Sequence, residues 1–153
     1  MKPVYTAVAT VRGGRRGTAR TDDGRLDLSL GVPGELGAGG GPVTNPEQLF
    51  AIAYAASFES ALLDAARNHG KNPEGAIVTA SVALIRNDGA GFQLKVELHA
   101  QIPGLSKRET EQLLQAAHQA CPYSKATRGS IDVALVAREA IAAPRSQTHP
   151  AYI

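Results

Sequence analysis

The sequence predicts an α+β domain in which strands and helices are segregated along the chain instead of alternating. Two observations carry this prediction. One apolar helical segment occupies the middle of the chain, and runs of alternating apolar and polar residues lie on both sides of it, separated by hairpin-like turns. The predicted order is β-β-β-α-β-β-α-β over a single domain of residues 1–137. The proline-containing residues 138–153 are predicted to be a weakly specified tail.

Three strands are predicted before the helix. Residues 4–11 are rich in Val, Thr and Tyr, and the glycines at 13 and 14 end that run. A short strand follows near Thr18, and the hairpin signal Asp-Asp-Gly at 22–24 precedes alternating leucines at 26, 28 and 30. Residues 31–43 form a glycine-rich loop that lacks the spacing of a nucleotide-binding loop. Its glycines are predicted to let the backbone pass close to another surface.

The central helix has two possible starts. Thr44 with Glu47 can form a capping box, whereas Asn45 can be the N-cap with Pro46 at the first helical position. Gly70 is the predicted C-terminal stop.

Apolar residues from position 49 to 58 go almost all the way round this helix, which is typical of a helix covered by protein on every side. Ser57 is the polar residue in the middle. Together with Ala53 and Ala61 it forms a ridge of small residues, which permits close approach of a second helix, and that helix could belong to another subunit.

After the helix, residues 78–84 and 92–102 are predicted to pair as an antiparallel hairpin with one wet face. Ser106 and Glu109 form a capping box for a second helix, which the Cys121-Pro122 step closes. Residues 131–136 supply the last strand.

Composition excludes several classes of function. The formal net charge of +2 is too mild to indicate nucleic-acid binding, and the arginines at 12, 15, 16, 20 and 25 are predicted to be a solvated basic turn. No apolar run reaches the roughly 18 residues of a membrane span, and no signal peptide is apparent, so a cytoplasmic protein is expected. One cysteine excludes an intrachain disulfide and a cysteine-based zinc site, and the four histidines lack metal-ligand spacing. No bound metal or cofactor is predicted.

Three motifs suggest a family: Gly-Gly-Arg at 13–15, Thr-Asn-Pro-Glu-Gln-Leu-Phe-Ala at 44–51, and Cys-Pro-Tyr-Ser-Lys-Ala-Thr-Arg-Gly-Ser-Ile-Asp-Val at 121–133. They closely resemble the organic hydroperoxide resistance proteins, which are thiol peroxidases of the osmotically inducible protein C superfamily. The resemblance covers about residues 4–137. It implies an intertwined homodimer with two long central helices side by side, wrapped by antiparallel sheets.

The resemblance also implies a chemistry. Family members reduce organic hydroperoxides with a peroxidatic cysteine in the central helix, form a disulfide with a resolving cysteine, and are re-reduced by an external dithiol of the dihydrolipoamide type on a lipoylated protein. By position, Cys121 is the resolving cysteine, Arg15 activates the thiolate, and Glu47 orients Arg15. A nearby arginine lowers the pKa of a thiol from about 8.5 and stabilises the departing alkoxide. Glu47 could instead be only the helix cap, and the two roles can coexist.

The chain departs from this pattern at the peroxidatic position, where it carries Ser57 in the run Ala-Ser-Phe. An alcohol does not ionise as a thiol does and cannot form the disulfide, so the chain is predicted to be an inactive reductase scaffold. Cys121 is a poor substitute because the predicted helix C-terminus disfavours a thiolate. Ser57 is either a deliberate Cys→Ser change or a natural loss. The alternative function is a non-catalytic family member that holds a hydrophobic acyl ligand in a pocket at the dimer interface.

Overall fold

The computed structural model describes residues 2–37, 41–87, 89 and 91–139. The chain divides into two compact units at Phe50, and each is described here by itself. The predicted tail lies outside the described residues except for Arg138 and Glu139. Three strands belong to the first unit and three to the second, within the described ranges, and the helices are α1 (Pro46–Asn68), α2 (Lys107–Ala120) and α3 (Pro122–Thr127).

The first unit contains the predicted meander. Its strands are β1 (Ala9–Arg12), β2 (Thr18–Thr21) and β3 (Asp27–Ser29), which pair antiparallel in that order. β1 begins later than the alternation suggested, because its partner β2 ends at Thr21, where the chain enters a turn. Val4 is consequently fully exposed. A three-residue 3₁₀ turn, Gly14–Arg16, joins β1 to β2.

Two glycines of this unit allow close backbone approach. A Cβ at Gly17 would lie 1.7 Å from the carbonyl oxygen of Arg12, and a Cβ at Gly31 would lie 2.3 Å from Cγ2 of Val43. Gly31 also donates its N–H to the carbonyl of Thr44 at 2.9 Å. The prediction of a close approach in the glycine-rich loop therefore holds at Gly31 but not at Gly34, Gly37 or Gly41, where an added Cβ would meet nothing within 4 Å. Residues 38–40 lie outside the described part.

The start of α1 is settled in favour of Asn45. Its Oδ1 accepts a hydrogen bond from the backbone N–H of Gln48 at 2.9 Å, so Asn45 is the N-cap and Pro46 is the first helical residue. The hydroxyl of Thr44 donates to Oε1 of Gln48, and the carboxylate of Glu47 accepts from Arg15. The capping box between Thr44 and Glu47 is therefore replaced by two other contacts.

The predicted stop of α1 is confirmed. Gly70 has a φ of +68°, which glycine adopts without a steric penalty. Its N–H bonds to the carbonyl of Arg67, and the N–H of Lys71 bonds to the carbonyl of Ala66. This pair of bonds is a Schellman motif.

The expectation that α1 is covered on every side is wrong for the single chain. Tyr54, Phe58 and Leu62 are completely buried on one side. Ile52 on another side is 67% exposed, and Ala56 and Ser60 continue that exposed stripe at helical spacing. Apolar residues surround the helix, but the described residues of this chain bury only part of its circumference.

By length and composition alone, α1 would also be able to cross a membrane, contrary to the expectation that no segment is apolar enough. One such helix is weak evidence for a membrane span, because the core helix of a globular protein passes the same test.

In the second unit, β4 (Ile77–Asn87) and β5 (Gly91–Gln101) form the predicted antiparallel hairpin. β6 (Asp132–Ala137) then pairs with β5 in parallel, so the prediction of purely antiparallel sheets is wrong. The reason is that the helical connection between β5 and β6 carries the chain back to the end of the sheet from which β5 started. Val96, Leu98 and Ile102 are completely buried, and Leu113 and Leu114 of α2 are nearly so.

The predicted element order also omits α3. The capping box of Ser106 and Glu109 at the start of α2 is confirmed. The predicted closure of α2 at the Cys121-Pro122 step is also confirmed, since α2 ends at Ala120. What the prediction omitted is that Pro122 stands at the first position of a new helix, where its missing N–H costs nothing. Cys121 is at once the C-cap of α2 and the N-cap of α3.

Candidate active site

Arg15 and Glu47 form a bidentate ion pair within the first unit. Nη1 of Arg15 donates to Oε2 of Glu47 at 2.9 Å, and Nη2 donates to Oε1 at 2.6 Å. Arg15 is placed by the 3₁₀ turn, which two glycines with positive φ begin, and Glu47 by the first turn of α1. Both side chains approach with their planar forks aligned, which fixes the guanidinium more tightly than a single contact would.

Each residue of this pair shifts the pKa of the other toward its charged form. Hydrogen bonding from Arg15 lowers the pKa of Glu47 below its ordinary value, although partial burial opposes the shift. Hydrogen bonding to Glu47 raises the pKa of Arg15. The side chain of Glu47 is only 13% exposed and that of Arg15 is 43% exposed. Arg15 is therefore a permanent, oriented cation with one side in contact with Glu47.

Arg15 also lines an apolar hollow of about 440 Å³ in the first unit. Its wall consists of residues from β1, β2 and the start of α1 together with Leu30, namely Val11, Gly14, Arg15, Ala19, Leu30, Pro46, Leu49 and Phe50. An apolar hollow with one fixed polar group is the usual form of a site for a small, mostly apolar molecule.

Ser57 and Cys121 meet within the second unit. Oγ of Ser57 lies 3.5 Å from Sγ of Cys121, within hydrogen-bonding distance for sulfur. Cys121 is completely buried. Its backbone N–H donates to the carbonyl of Ala117 in α2, and its carbonyl accepts from Lys125 in α3, so the two helices fix its position.

Ser57 itself is reachable. It lines a groove of about 440 Å³ that follows α1 toward His69 and is closed on the other side by Ala116, Ala120 and Pro122. Small side chains make up most of this lining. A reagent entering the groove would meet the hydroxyl of Ser57 before the thiol of Cys121.

Sequence reasoning missed a cluster of hydroxyl groups beside this pair. The hydroxyl of Tyr54 lies 3.0 Å from Oγ of Ser124 and 3.2 Å from Oγ1 of Thr127. Tyr54 and Ser124 are completely buried, and Thr127 is 6% exposed. The sequence offered only a weak signal for this cluster. A tyrosine in an apolar helix indicates that its hydroxyl needs a polar partner, but it does not identify that partner.

The four predicted site residues thus form two pairs, Arg15 with Glu47 and Ser57 with Cys121, one in each unit. The roles carried over to them by resemblance stay predictions. Among the described residues no group of three His, Cys, Asp or Glu side chains could hold a metal ion, and His149 lies outside those residues.

Comparison with known proteins agrees with these motifs. The model of the OsmC-like protein family matches residues 38–136. The organic hydroperoxide resistance protein of Xanthomonas axonopodis pv. citri is 49% identical over 135 residues, covering 88% of this chain and 94% of that protein.

Solved structures show the same fold. The organic hydroperoxide resistance protein of Legionella pneumophila has a TM-score of 0.82 and 48% identity, covering 89% of this chain and 98% of its own. The organic hydroperoxide resistance protein of Elizabethkingia anophelis has a TM-score of 0.84 and 42% identity, and the match covers 92% of this chain and 100% of that protein's chain. With this coverage and identity, and with the three motifs in place, the chain belongs to the organic hydroperoxide resistance proteins of the OsmC-like family.

Proposed function

We propose that this chain is an organic hydroperoxide reductase scaffold whose thiol peroxidase cycle is blocked at its first step by Ser57. The observation that carries the proposal is the 3.5 Å contact between Oγ of Ser57 and Sγ of the buried Cys121. A side chain at position 57 is thereby within reach of the chain's one thiol, which is the arrangement that a peroxidatic and a resolving cysteine require.

The cycle that position 57 would support has three balanced steps. A thiolate attacks one peroxide oxygen, so that an S–O bond forms, the O–O bond breaks and the alkoxide leaves to take up a proton, giving a sulfenic acid and an alcohol. The thiol of Cys121 then attacks that sulfur, a disulfide forms, and hydroxide leaves as water with the thiol proton. An external dithiol reduces the disulfide by two electrons and becomes a disulfide itself.

Ser57 stops this sequence because a hydroxyl is not ionised near neutral pH and has no accessible sulfenic state. The proposal assigns assistance of the first step to Arg15 and Glu47, whose bidentate pair supports that assignment. In the proposal, the apolar hollow beside Arg15 receives the organic part of a hydroperoxide, and the guanidinium that Glu47 orients stabilises the oxyanion that departs. The reductant is a dihydrolipoamide-type dithiol carried by a lipoylated protein.

Restoring the thiol tests the proposal. We expect Ser57→Cys to reduce cumene hydroperoxide continuously with dihydrolipoamide, and the unaltered chain not to do so. The matched control Ser57→Cys/Cys121→Ser should consume about one equivalent of hydroperoxide and accumulate a sulfenic acid, because the resolving step is removed. A folded Ser57→Cys protein that leaves the hydroperoxide unconsumed would refute the proposal, as would rapid turnover by the unaltered chain.

A second candidate is retention of an apolar acyl ligand without turnover. The hollow bordered by Arg15 favours it, because a fixed cation beside an apolar wall fits a fatty acid as well as a hydroperoxide. The dimer-interface pocket predicted for such a ligand stays a prediction. Native mass spectrometry of the unaltered chain decides the matter: a co-purified acyl ligand that is lost in Arg15→Met, with no activity in Ser57→Cys, favours binding alone.

The homodimer belongs to the same proposal. Ile52, Ala56 and Ser60 leave an exposed stripe of α1 that a second copy of the helix would cover. Light scattering coupled to gel filtration should give twice the chain mass of 15.9 kDa, and Ile52→Glu should give the single mass. A monomer at micromolar concentration would contradict this part of the proposal.

A further inference from the structure

A second contact runs alongside the Ser57–Cys121 pair and joins the same elements. Tyr54 lies nearly one turn before Ser57 on α1, and Ser124 lies nearly one turn after Cys121 on α3. The hydroxyl groups of Tyr54 and Ser124 are 3.0 Å apart, and Thr127 at the end of α3 also reaches Tyr54 at 3.2 Å. The three contacts join Ser57 to Cys121 and Tyr54 to Ser124 and Thr127, so they hold the segment from Cys121 to Thr127 against α1.

The hydroxyl cluster is fully satisfied within the two helices. Oγ1 of Thr127 lies 3.0 Å from the carbonyl oxygen of Tyr123, to which it donates. The assignment that gives every proton an acceptor has Tyr54 donating to Thr127 and Ser124 donating to Tyr54. Because these groups are buried, a slip of α3 along α1 would break both bonds away from water and leave polar atoms without partners.

Apolar packing alone would not fix this register as sharply. The ring of Tyr54 contacts Phe58 with ring centroids 6.5 Å apart and Tyr123 with centroids 5.7 Å apart, and such contacts tolerate sliding. Hydrogen bonds are directional, so the two bonds of the Tyr54 hydroxyl do not tolerate such sliding. The register matters for chemistry because a disulfide requires two sulfurs to approach to about 2.05 Å with restricted backbone separation.

We propose that Tyr54 is a positioning residue: its hydroxyl, bound to Ser124 and Thr127, sets the register of α3 on α1 and so keeps the side chain at position 57 within bonding distance of Cys121. This inference rests on the proposed function insofar as it assigns Tyr54 to the resolving step. Tyr54 touches neither sulfur in that step. It acts through the position of Cys121.

The test compares Ser57→Cys with Ser57→Cys/Tyr54→Phe, which keeps the ring and removes the hydroxyl. The matched control is Ser57→Cys/Thr110→Val, because Thr110 is completely buried on α2 and its hydroxyl donates to the carbonyl of Ser106 at the start of the same helix. Equilibration with reduced and oxidised glutathione measures how readily the thiol introduced at position 57 and Cys121 form a disulfide, without any hydroperoxide. In this exchange glutathione disulfide takes up two electrons and two protons and yields two glutathione thiols.

We expect Tyr54→Phe to lower the equilibrium constant for this disulfide about fivefold to tenfold, because both hydrogen bonds that fix the register are lost, and Thr110→Val to leave it unchanged. With cumene hydroperoxide, Tyr54→Phe should slow disulfide formation by a similar factor while the rate of hydroperoxide consumption in the first turnover stays the same. An unchanged glutathione equilibrium in Tyr54→Phe would overturn the inference, and so would an equal loss in Thr110→Val. The glutathione equilibrium involves no hydroperoxide, so it tests the role of Tyr54 even if Ser57→Cys does not reduce hydroperoxides. Failure of the proposed function is tested by the hydroperoxide assay of Ser57→Cys alone.

Discussion

Replacing Glu47 by glutamine removes one charge from the Arg15 pair and changes little else. A charge-assisted hydrogen bond in a buried site contributes about 1.5–3 kcal/mol, and an exposed ion pair about 0.2–1 kcal/mol. The side chain of Glu47 is 13% exposed but that of Arg15 is 43% exposed, so solvent screening places the pair between these limits. Glutamine retains one acceptor. We therefore expect Glu47→Gln to lower the free energy of unfolding by about 1–1.5 kcal/mol at pH 7.

Acidification should remove this difference. The pKa of Glu47 is lowered in the folded chain, so its contribution to stability is complete above the ordinary carboxyl pKa of about 4.3 and is lost as the pH falls through the lowered value. Urea unfolding followed by far-ultraviolet circular dichroism, at pH 7 and at several values below about pH 4, measures the effect.

The matched control for Glu47→Gln is Asp64→Asn. Asp64 pairs with Arg67 on the same helix at 3.0 Å, but these side chains are 73% and 59% exposed. Their pair should contribute at most a few tenths of a kcal/mol. Equal effects of the two substitutions at pH 7, or a loss in Glu47→Gln that persists at acid pH, would refute the argument.

The same substitution separates the two roles considered for Glu47. If the carboxylate orients Arg15 toward a reacting oxygen, Glu47→Gln in the Ser57→Cys protein should slow the first reduction of hydroperoxide by about tenfold to a hundredfold. If it only supports the start of α1, the stability should fall while this rate stays the same. Stopped-flow measurement of one turnover distinguishes the two results.

Two further predictions concern other parts of the chain. Lys71 and the backbone of Ser106 hold the pKa of Glu109 at about 2. Titration followed by carboxyl-carbon NMR should show that pKa in the folded protein and a higher pKa in Lys71→Gln. An unchanged pKa in Lys71→Gln would contradict the assigned cause. Gly17→Ala should lower the free energy of unfolding of the first unit by about 3 kcal/mol in urea, because the added Cβ would collide with the backbone of Arg12. In the control Gly34→Ala the added Cβ meets nothing within 4 Å, so the free energy of unfolding should change little. Similar losses in both variants would contradict this reason.

Local signals predicted most of the fold correctly. The capping box at Ser106, the stop at Gly70 and the hairpins around 22–24 and 87–91 all depend on residues close in sequence, and the structure forms each of them. The start of α1 was left open because two local caps competed. It was decided by a residue distant in sequence, Arg15, which engages the carboxylate that the alternative box would have used.

The errors have a common physical origin. Whether β6 runs parallel or antiparallel to β5 depends on the path of the connection between them, which alternation within a strand does not encode. Proline at 122 correctly indicates the end of α2, but α3 is missed because a proline fits the first position of a following helix equally well. The pairing of Tyr54 with Ser124 was not predictable for a similar reason: burial demands a partner, and only the tertiary structure supplies one.

The structure also changes the argument behind the prediction that Cys121 is a poor substitute for a thiol at position 57. The sequence placed this residue at a helix C-terminus, where the dipole opposes a thiolate, but Cys121 also begins α3, and the two helix ends oppose each other there. Access is the stronger argument. Cys121 is completely buried and does not line the groove that Ser57 lines, so a molecule that enters this groove from solvent meets the side chain at position 57 first. A resolving thiol needs only to reach its partner sulfur, whereas a peroxidatic thiol must reach the substrate, and of the two positions the accessible one is 57.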